Sequence, residues 1–188
     1  MKRVADCIAE RESILESLRP CADAVQNVVA AVVATIQRGG RVYFFGNGGS
    51  AAQAQHLAAE LSGRFLRERP AWGALALTVD SSALTAIAND YGFENVFARQ
   101  LEGLVKPGDV AIGLTTSGAS SNIVNGLRAA RAKGATAVAI ASTNGGAAVE
   151  AADIAVLGPA GPSWKTQEAH LAVGHIICEL VELALVEP

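Results

Sequence analysis

Five short apolar segments alternate with helical patterns from residue 41 onwards, and this alternation constrains the fold more than any other feature of the sequence. The apolar segments are residues 41–45, 74–78, 110–114, 136–141 and 154–158. Each contains a continuous apolar run rather than apolar residues at alternate positions, as is typical of strands buried on both faces of a parallel sheet. The helical patterns cover about residues 50–62, 82–88, 93–105, 119–133 and 167–186. The order strand, helix, strand predicts an α/β fold with a doubly wound, five-stranded parallel sheet flanked by helices.

Two more helices are predicted before the alternation begins. Residues 22–38 carry apolar side chains at helical spacing, and residues 2–18 show a weaker amphipathic pattern. The chain has 188 residues, and no linker or repeat interrupts it. We therefore expect a single domain over residues 1–188. The leading pair has no obvious place in an alternating fold, so we expect residues 1–38 to pack at an oligomer interface.

Composition narrows the classes of function. The formal net charge is −3, and no run of Lys or Arg indicates a face for nucleic acid. No apolar stretch reaches transmembrane length without Gly or a charge, and the N-terminus lacks the apolar core of a signal peptide. The three cysteines show no CxxC spacing. We expect a cytoplasmic protein with reduced thiols that binds neither nucleic acid nor a membrane.

The loops that follow the strands are the expected ligand sites, because open α/β sheets bind ligands beyond the carboxyl ends of their strands. "GNGGS" follows the first segment, "TTSGASS" the third and "STNGG" the fourth. Gly46, Gly48 and Ala51 fit the start of a dinucleotide-binding pattern. However, Leu66 stands about where that pattern requires an acid, and no strand ends there. The chain also lacks GxxxxGK[ST], so the sequence does not support nucleotide binding.

A phosphate site without lysine is the simpler interpretation of these loops. Glycines let the backbone approach a ligand, and the N-terminus of a helix offers free N–H groups and partial positive charge. Ser50 is placed to cap the next helix, and a group of hydroxyls precedes the helix after the third strand. Ordinary helix capping would explain either loop alone. Two such loops in one sheet favour a phosphosugar ligand.

Four residues on two predicted helices could bind a divalent ion. His56 and Glu60 are four residues apart and share one helix face. Gln167 and His175 are eight apart, within about 80° of the same face. Their nitrogen and oxygen atoms suit a divalent metal, although a His–Glu pair is also a common surface contact. His170 lies off that face and is assigned to packing or to an outer hydrogen bond.

Four segments carry a resemblance to a known family. The sequences "GNGGSAAQAQHLAAELSGRF", "LTAIANDYGFENVFARQ", "TTSGASSNI" and "TQEAHLAVGH" resemble the phosphoheptose isomerases, which are sugar isomerase (SIS) domain enzymes. The resemblance covers about residues 35–185. It implies a flavodoxin-like SIS fold and the interconversion of sedoheptulose 7-phosphate and D-glycero-D-manno-heptose 7-phosphate through an enediol. It also implies a homotetramer with sites at subunit interfaces and one zinc ion per site.

The resemblance assigns roles to individual residues. Glu60 and His175 match the catalytic pair, with Glu60 as the base for the carbon-bound proton and His175 as acid and base at the oxygens. The metal ligands implied by the family are His56, Glu60, Gln167 and His175. The substrate contacts implied by the family are Asn47, Gly48, Gly49, Ser50, Arg64, Asp90, Thr115, Thr116, Ser117, Ser120 and Gln167.

One segment departs from the family pattern, and two other functions stay open. "PSWKTQE" stands where members commonly have a segment like Asp-Thr-Pro-Arg-Ile-Gln, which affects the contacts near Ser163 and the choice of sugar. An SIS isomerase acting on another phosphosugar is the first alternative. A non-catalytic SIS regulator is the second, but that class lacks the acid and the histidine that stand here at Glu60 and His175.

Overall fold

A computed structural model describes residues 2–143 and 145–186, and within them the five predicted strands form together with eight α-helices, one more than the sequence predicted. The strands are β1 (Val42–Gly46), β2 (Ala74–Ala76), β3 (Val110–Thr115), β4 (Thr136–Ser142) and β5 (Ile154–Gly158). The helices are α1 (Val4–Glu16), α2 (Ala22–Gln37), α3 (Gly49–Ser62), α4 (Ser81–Tyr91), α5 (Ala98–Leu104), α6 (Ser121–Ala132), α7 (Gly146–Ala151) and α8 (Ser163–Leu185). No helix in the described ranges is both long and apolar enough to span a bilayer.

The strands form one parallel sheet in the order β2-β1-β3-β4-β5. This is the flavodoxin-like order, and it confirms the doubly wound α/β prediction. Val42 of β1 pairs with Ala74 on one side and with Val110 on the other. The connection from β1 to β2 and the connection from β3 to β4 therefore run in opposite directions, which creates a crevice between the ends of β1 and β3.

Alternate side chains of β1 enter two separate cores. Phe44 packs with apolar residues of α2, α3 and α8 on one face of the sheet. Phe45 packs with α5, α6 and α7 on the other face, where its ring lies 5.3 Å from that of Phe97. Both faces of the sheet are thus covered, as the continuous apolar strands predicted.

The structure corrects several predicted boundaries. The prediction missed α7, because six residues rich in Gly and Ala show no readable period. The predicted helix 93–105 is divided, with a 3-10 turn at Phe93–Asn95 before α5. The last helix begins at Ser163 rather than at residue 167, so the atypical "PSWKTQE" segment forms its first turn.

The N-terminal helices differ in how they pack. Val28 and Val32 of α2 are fully buried, so this helix belongs to the core of its own chain. Only Ile14 of α1 is buried. The predicted interface role therefore concerns the outward faces of these helices.

Candidate active site at the β1–β3 crevice

A cavity of about 250 Å³ opens where the loops after β1 and β3 diverge, as the strand order requires. Its lining consists of both loops, the end of β3 and the start of α8. The lining residues are Asn47, Gly48, Gly49, Ser50, Leu114, Thr115, Thr116, Ser120, Ser163 and Gln167. Most of the expected substrate contacts therefore lie together in one cavity.

Two glycines shape the loop after β1. Gly48 has φ of +55°, which disfavours other residues. At Gly49, an added Cβ would lie 2.5 Å from Nε2 of Gln167. The prediction that Ser50 caps α3 was wrong: Gly48 is the N-cap, and Ser50 is buried in the first helical turn.

The loop after β3 supplies hydroxyl groups. Thr115 Oγ1 accepts a hydrogen bond of 3.1 Å from the Gly118 N–H, and Ser117 Oγ accepts one of 3.2 Å from the Ala119 N–H. Ser120 is the N-cap of α6, but its side chain makes no capping hydrogen bond. Its hydroxyl is therefore available to a ligand. Ser117 is exposed and lies outside the cavity lining.

A reciprocal amide pair joins the two loops. Asn47 Nδ2 donates to Asn122 Oδ1, and Asn122 Nδ2 donates to Asn47 Oδ1, both at 2.9 Å. Asn122 is buried in the first turn of α6. Asn122 had no predicted role, because its only sequence signal is an amide that follows the hydroxyl-rich loop. The pair fixes the distance between the halves of the cavity.

Beyond the cavity, His56 and Glu60 of α3 converge with His175 of α8. The Nε2 atoms of the two imidazoles lie 2.8 Å apart, and Glu60 Oε1 lies 3.3 Å from His56 Nε2. One ligand atom from each residue falls within 4.8 Å of the others. Two imidazole nitrogens and a carboxylate oxygen form a donor set that zinc accepts, so these three residues could hold a metal ion.

Gln167, Arg64 and Asp90 lie outside this group of three residues. The side chain of Gln167 lies in the cavity against Gly49, and its backbone carbonyl accepts a hydrogen bond of 2.6 Å from Gln53 Nε2. By helical rise it is about 12 Å along α8 from His175. Arg64 is exposed with its Nε 3.9 Å from a Glu68 oxygen. Asp90 is exposed on α4, where it accepts a hydrogen bond from Asn89.

The atypical segment at the start of α8 packs on α1. The guanidinium of Arg11 lies 4.4 Å from the centre of the Trp164 ring, and its Nε lies 3.1 Å from Glu168 Oε1. The segment also brings Ser163 into the cavity lining. Trp164 is therefore a packing residue, and Glu168 is an exposed acid that pairs with α1.

A buried ion pair lies two turns beyond His175 along α8, and it was not predicted. Arg69 Nε lies 2.9 Å from Glu182 Oε1, and their side chains are 1% and 2% exposed. Burial raises the pKa of Glu182, but hydrogen bonds from three backbone N–H groups and from Arg69 outweigh it and lower the pKa below its usual value. Long-range pairs of this kind leave no periodic trace in a sequence.

His170 is fully buried on α8, and neither of its ring nitrogens makes a hydrogen bond within normal limits. Burial lowers its pKa from 6.5 to about 4, and the neighbouring Ala141 backbone opposes this only in part. The packing interpretation of His170 is therefore confirmed, and its imidazole is neutral at pH 7.

Comparisons with known proteins agree with this fold. A family model described as "SIS domain" matches residues 8–142. A phosphoheptose isomerase of Aquifex aeolicus is 52% identical over 155 residues, covering 82% of this chain and 81% of that protein. One of Solidesulfovibrio magneticus is 48% identical over 184 residues, covering 98% and 88%. The solved structure of a phosphoheptose isomerase from Francisella tularensis superposes with a TM-score of 0.87 at 31% identity, covering 96% and 98%.

Proposed function

The chain belongs to the phosphoheptose isomerase family of SIS-domain enzymes, and from this premise we propose that it interconverts sedoheptulose 7-phosphate and D-glycero-D-manno-heptose 7-phosphate. The observation that carries the proposal is the convergence of Glu60 with two imidazoles near a hydroxyl-lined cavity. Aldose–ketose isomerisation moves a proton between neighbouring carbons through an enediol. It requires one base at carbon and one acid/base group at oxygen.

The distance between the cavity and the group of Glu60 with its histidines suits a seven-carbon sugar phosphate. Gly49, His56 and Glu60 lie on one face of α3, because residues seven and eleven apart nearly superpose around a helix. Gly49 and His56 are separated by about 10 Å of helical rise. An extended seven-carbon sugar phosphate spans that length. Its phosphate would bind in the cavity while its first two carbons lie near Glu60.

The cavity would bind the phosphate through hydroxyls and backbone N–H groups at two helix starts. Thr116 and Ser120 line it from the β3 side, and Ser50 from the α3 side. Ser117 lies on the same loop, and the family pattern adds it to the contacts. Anchoring the far end of the sugar would orient the reacting carbons, so binding energy lowers the barrier to proton transfer.

Two side chains would move the protons. Glu60 removes the carbon-bound proton of the substrate and returns it to the neighbouring carbon. His175 transfers a proton between the two substrate oxygens. His56 Nε2, which lies 2.8 Å from the His175 Nε2, orients that ring.

A zinc ion would fit the same group. His56, Glu60 and His175 would hold it. The family also implies Gln167 as a ligand, although its side-chain amide here lies against Gly49 at the start of α3. When bound, zinc supplies Lewis-acid polarisation of the substrate oxygens.

We also propose a homotetramer in the cytoplasm, with sites completed by neighbouring subunits. Arg64 and Asp90 are exposed outside the cavity lining, so these expected substrate contacts would serve a neighbouring subunit. Exposed apolar side chains on α1 and α8, including Ile8, Leu15 and Ile176, support an interface there. The thiols of Cys7, Cys21 and Cys178 are all free, as suits a reducing compartment.

The test is turnover of sedoheptulose 7-phosphate by the purified protein, before and after treatment with a chelator. Glu60→Gln keeps the shape of the side chain but removes the base, so we expect turnover to fall by about 100-fold or more. Glu150→Gln, at an exposed position on α7, is the matched control and should retain full turnover. Near-normal turnover by Glu60→Gln would refute its role as base. Turnover of a different phosphosugar alone would identify another SIS isomerase, and binding without turnover would identify a regulator.

A further inference from the structure

The Arg69–Glu182 pair lies between the two helices that supply the reacting side chains. Glu182 is on α8, two turns beyond His175, and Arg69 is in the segment that follows α3. The pair therefore connects the ends of both helices from inside the fold. A buried ion pair gives little net stability by itself, because removing two charges from water offsets most of their attraction. Its position suggests a role besides stability.

The carboxylate of Glu182 fixes the backbone of the segment after α3. It accepts hydrogen bonds from the N–H groups of Phe65, Leu66 and Arg67 at 2.9, 2.8 and 2.9 Å. Three N–H groups that converge on one carboxylate leave this backbone little freedom.

That backbone places an aromatic ring against the histidine of the site. The ring of Phe65 lies 5.7 Å from the ring of His175, centre to centre, with a tilt of 32°. His56 also contacts His175, with its ring 5.1 Å away and nearly perpendicular at 73°. The imidazole of His175 thus contacts both Phe65 and His56.

The guanidinium of Arg69 fixes the end of α3 in the same way. Its Nη2 donates to the carbonyl of Glu60 at 2.7 Å, and its Nη1 donates to the carbonyls of Leu61 and Gly63 at 3.0 and 3.2 Å. It also stacks on Trp72 at 3.6 Å. Arg69 therefore bonds directly to the backbone of the residue proposed as the base.

We propose that Arg69 and Glu182 are positioning residues that hold Glu60 and His175 in register for proton transfer and for binding of a metal ion. Neither side chain touches the substrate. Each acts through the backbone of Glu60 or through the Phe65 ring. The proposal rests on the proposed function for its kinetic part, but not for its metal-binding part.

The experiment compares Glu182→Gln and Phe65→Leu with the wild-type protein. Three quantities are measured: kcat and KM for sedoheptulose 7-phosphate, the affinity of the metal-free protein for Co²⁺, and the melting temperature. Leu101→Ala is the control, because Leu101 is fully buried in the core on the opposite face of the sheet. That substitution destabilises the fold without touching α3 or α8.

We expect Glu182→Gln to weaken Co²⁺ binding and to lower kcat, each by about 10-fold or more, as loss of a supporting contact does at other metal sites. KM should change by less than about 3-fold, because the phosphate loops lie at the opposite end of α3. Phe65→Leu should shift Co²⁺ affinity and kcat in the same direction with a melting temperature near that of the wild type. Leu101→Ala should lower only the melting temperature.

The opposite pattern would overturn the proposal. If Glu182→Gln and Phe65→Leu bind Co²⁺ and turn over like the wild type, while Glu182→Gln melts early like Leu101→Ala, the pair serves only stability. If Glu182→Gln does not fold, Phe65→Leu decides the question alone. A wild-type protein without turnover would refute the proposed function, and the Co²⁺ affinities would still decide whether the pair positions the site.

Discussion

Replacing His170 by leucine should make the protein less sensitive to mild acid. The imidazole is fully buried without a hydrogen bond, and its pKa falls from 6.5 to about 4 on folding. Leucine has a similar volume and no nitrogen to protonate. The variant also removes two buried polar atoms that lack partners, so we expect it to fold at least as well at neutral pH.

The sign of the effect follows from which state binds the proton. Between pH 6.5 and pH 4 the unfolded chain protonates His170 while the folded protein keeps it neutral, so acid favours unfolding. The part of the free energy of unfolding that depends on a neutral His170 is complete above pH 6.5 and is lost as the pH falls towards 4. A lowering of the pKa from 6.5 to about 4 corresponds to about 3 kcal/mol in total. About 2 kcal/mol of this is lost between pH 7.5 and pH 5.

The assay is urea unfolding of both proteins at pH 7.5 and at pH 5, at one protein concentration, because oligomers gain stability by mass action. Comparing the two proteins at each pH cancels the carboxylates that they share. The wild type should lose about 2 kcal/mol more free energy of unfolding than His170→Leu over this range. Equal losses in the two proteins would show that His170 does not resist protonation in the folded state.

Two further substitutions test the cavity and the interface. Gly49→Ala places a methyl group against Gln167, so KM for the sugar phosphate should rise by about 10-fold in steady-state assays. Gly103→Ala, where an added Cβ meets nothing within 4 Å, is the control, and an unchanged KM in Gly49→Ala would contradict the cavity assignment. Ile176→Glu puts a charge on the exposed apolar face of α8 and should reduce the particle mass in light scattering. Leu104→Glu, at a similarly exposed position on α5, should keep the mass of the wild type, and equal masses in all three proteins would argue against an interface on α8.

The sheet could be predicted from the sequence because its signal is local and repeated. Strands such as 110–114 are apolar at every position, and a run this short favours a strand covered on both faces. The same pattern located the ligand loops, because strand order brings the ends of β1 and β3 to one crevice. The short helix α7 was missed because its residues carry neither a period nor a cap.

The site was only partly predictable because its supports are long-range. His56 and Glu60 could be paired from their spacing, but their approach to His175 depends on how α3 packs against α8. The amide pair of Asn47 with Asn122 depends in the same way on the packing of α6. Such contacts join residues far apart in the chain, and no local sequence pattern predicts them.

The last helix has a consequence for how the protein matures. Because α8 carries His175 and covers part of one face of the sheet, a chain on the ribosome cannot form the candidate site until this helix emerges. Until then, the uncovered strands present an apolar surface that chaperones and proteases recognise. A chain truncated before α8 would lack His175 and would leave part of this apolar face uncovered.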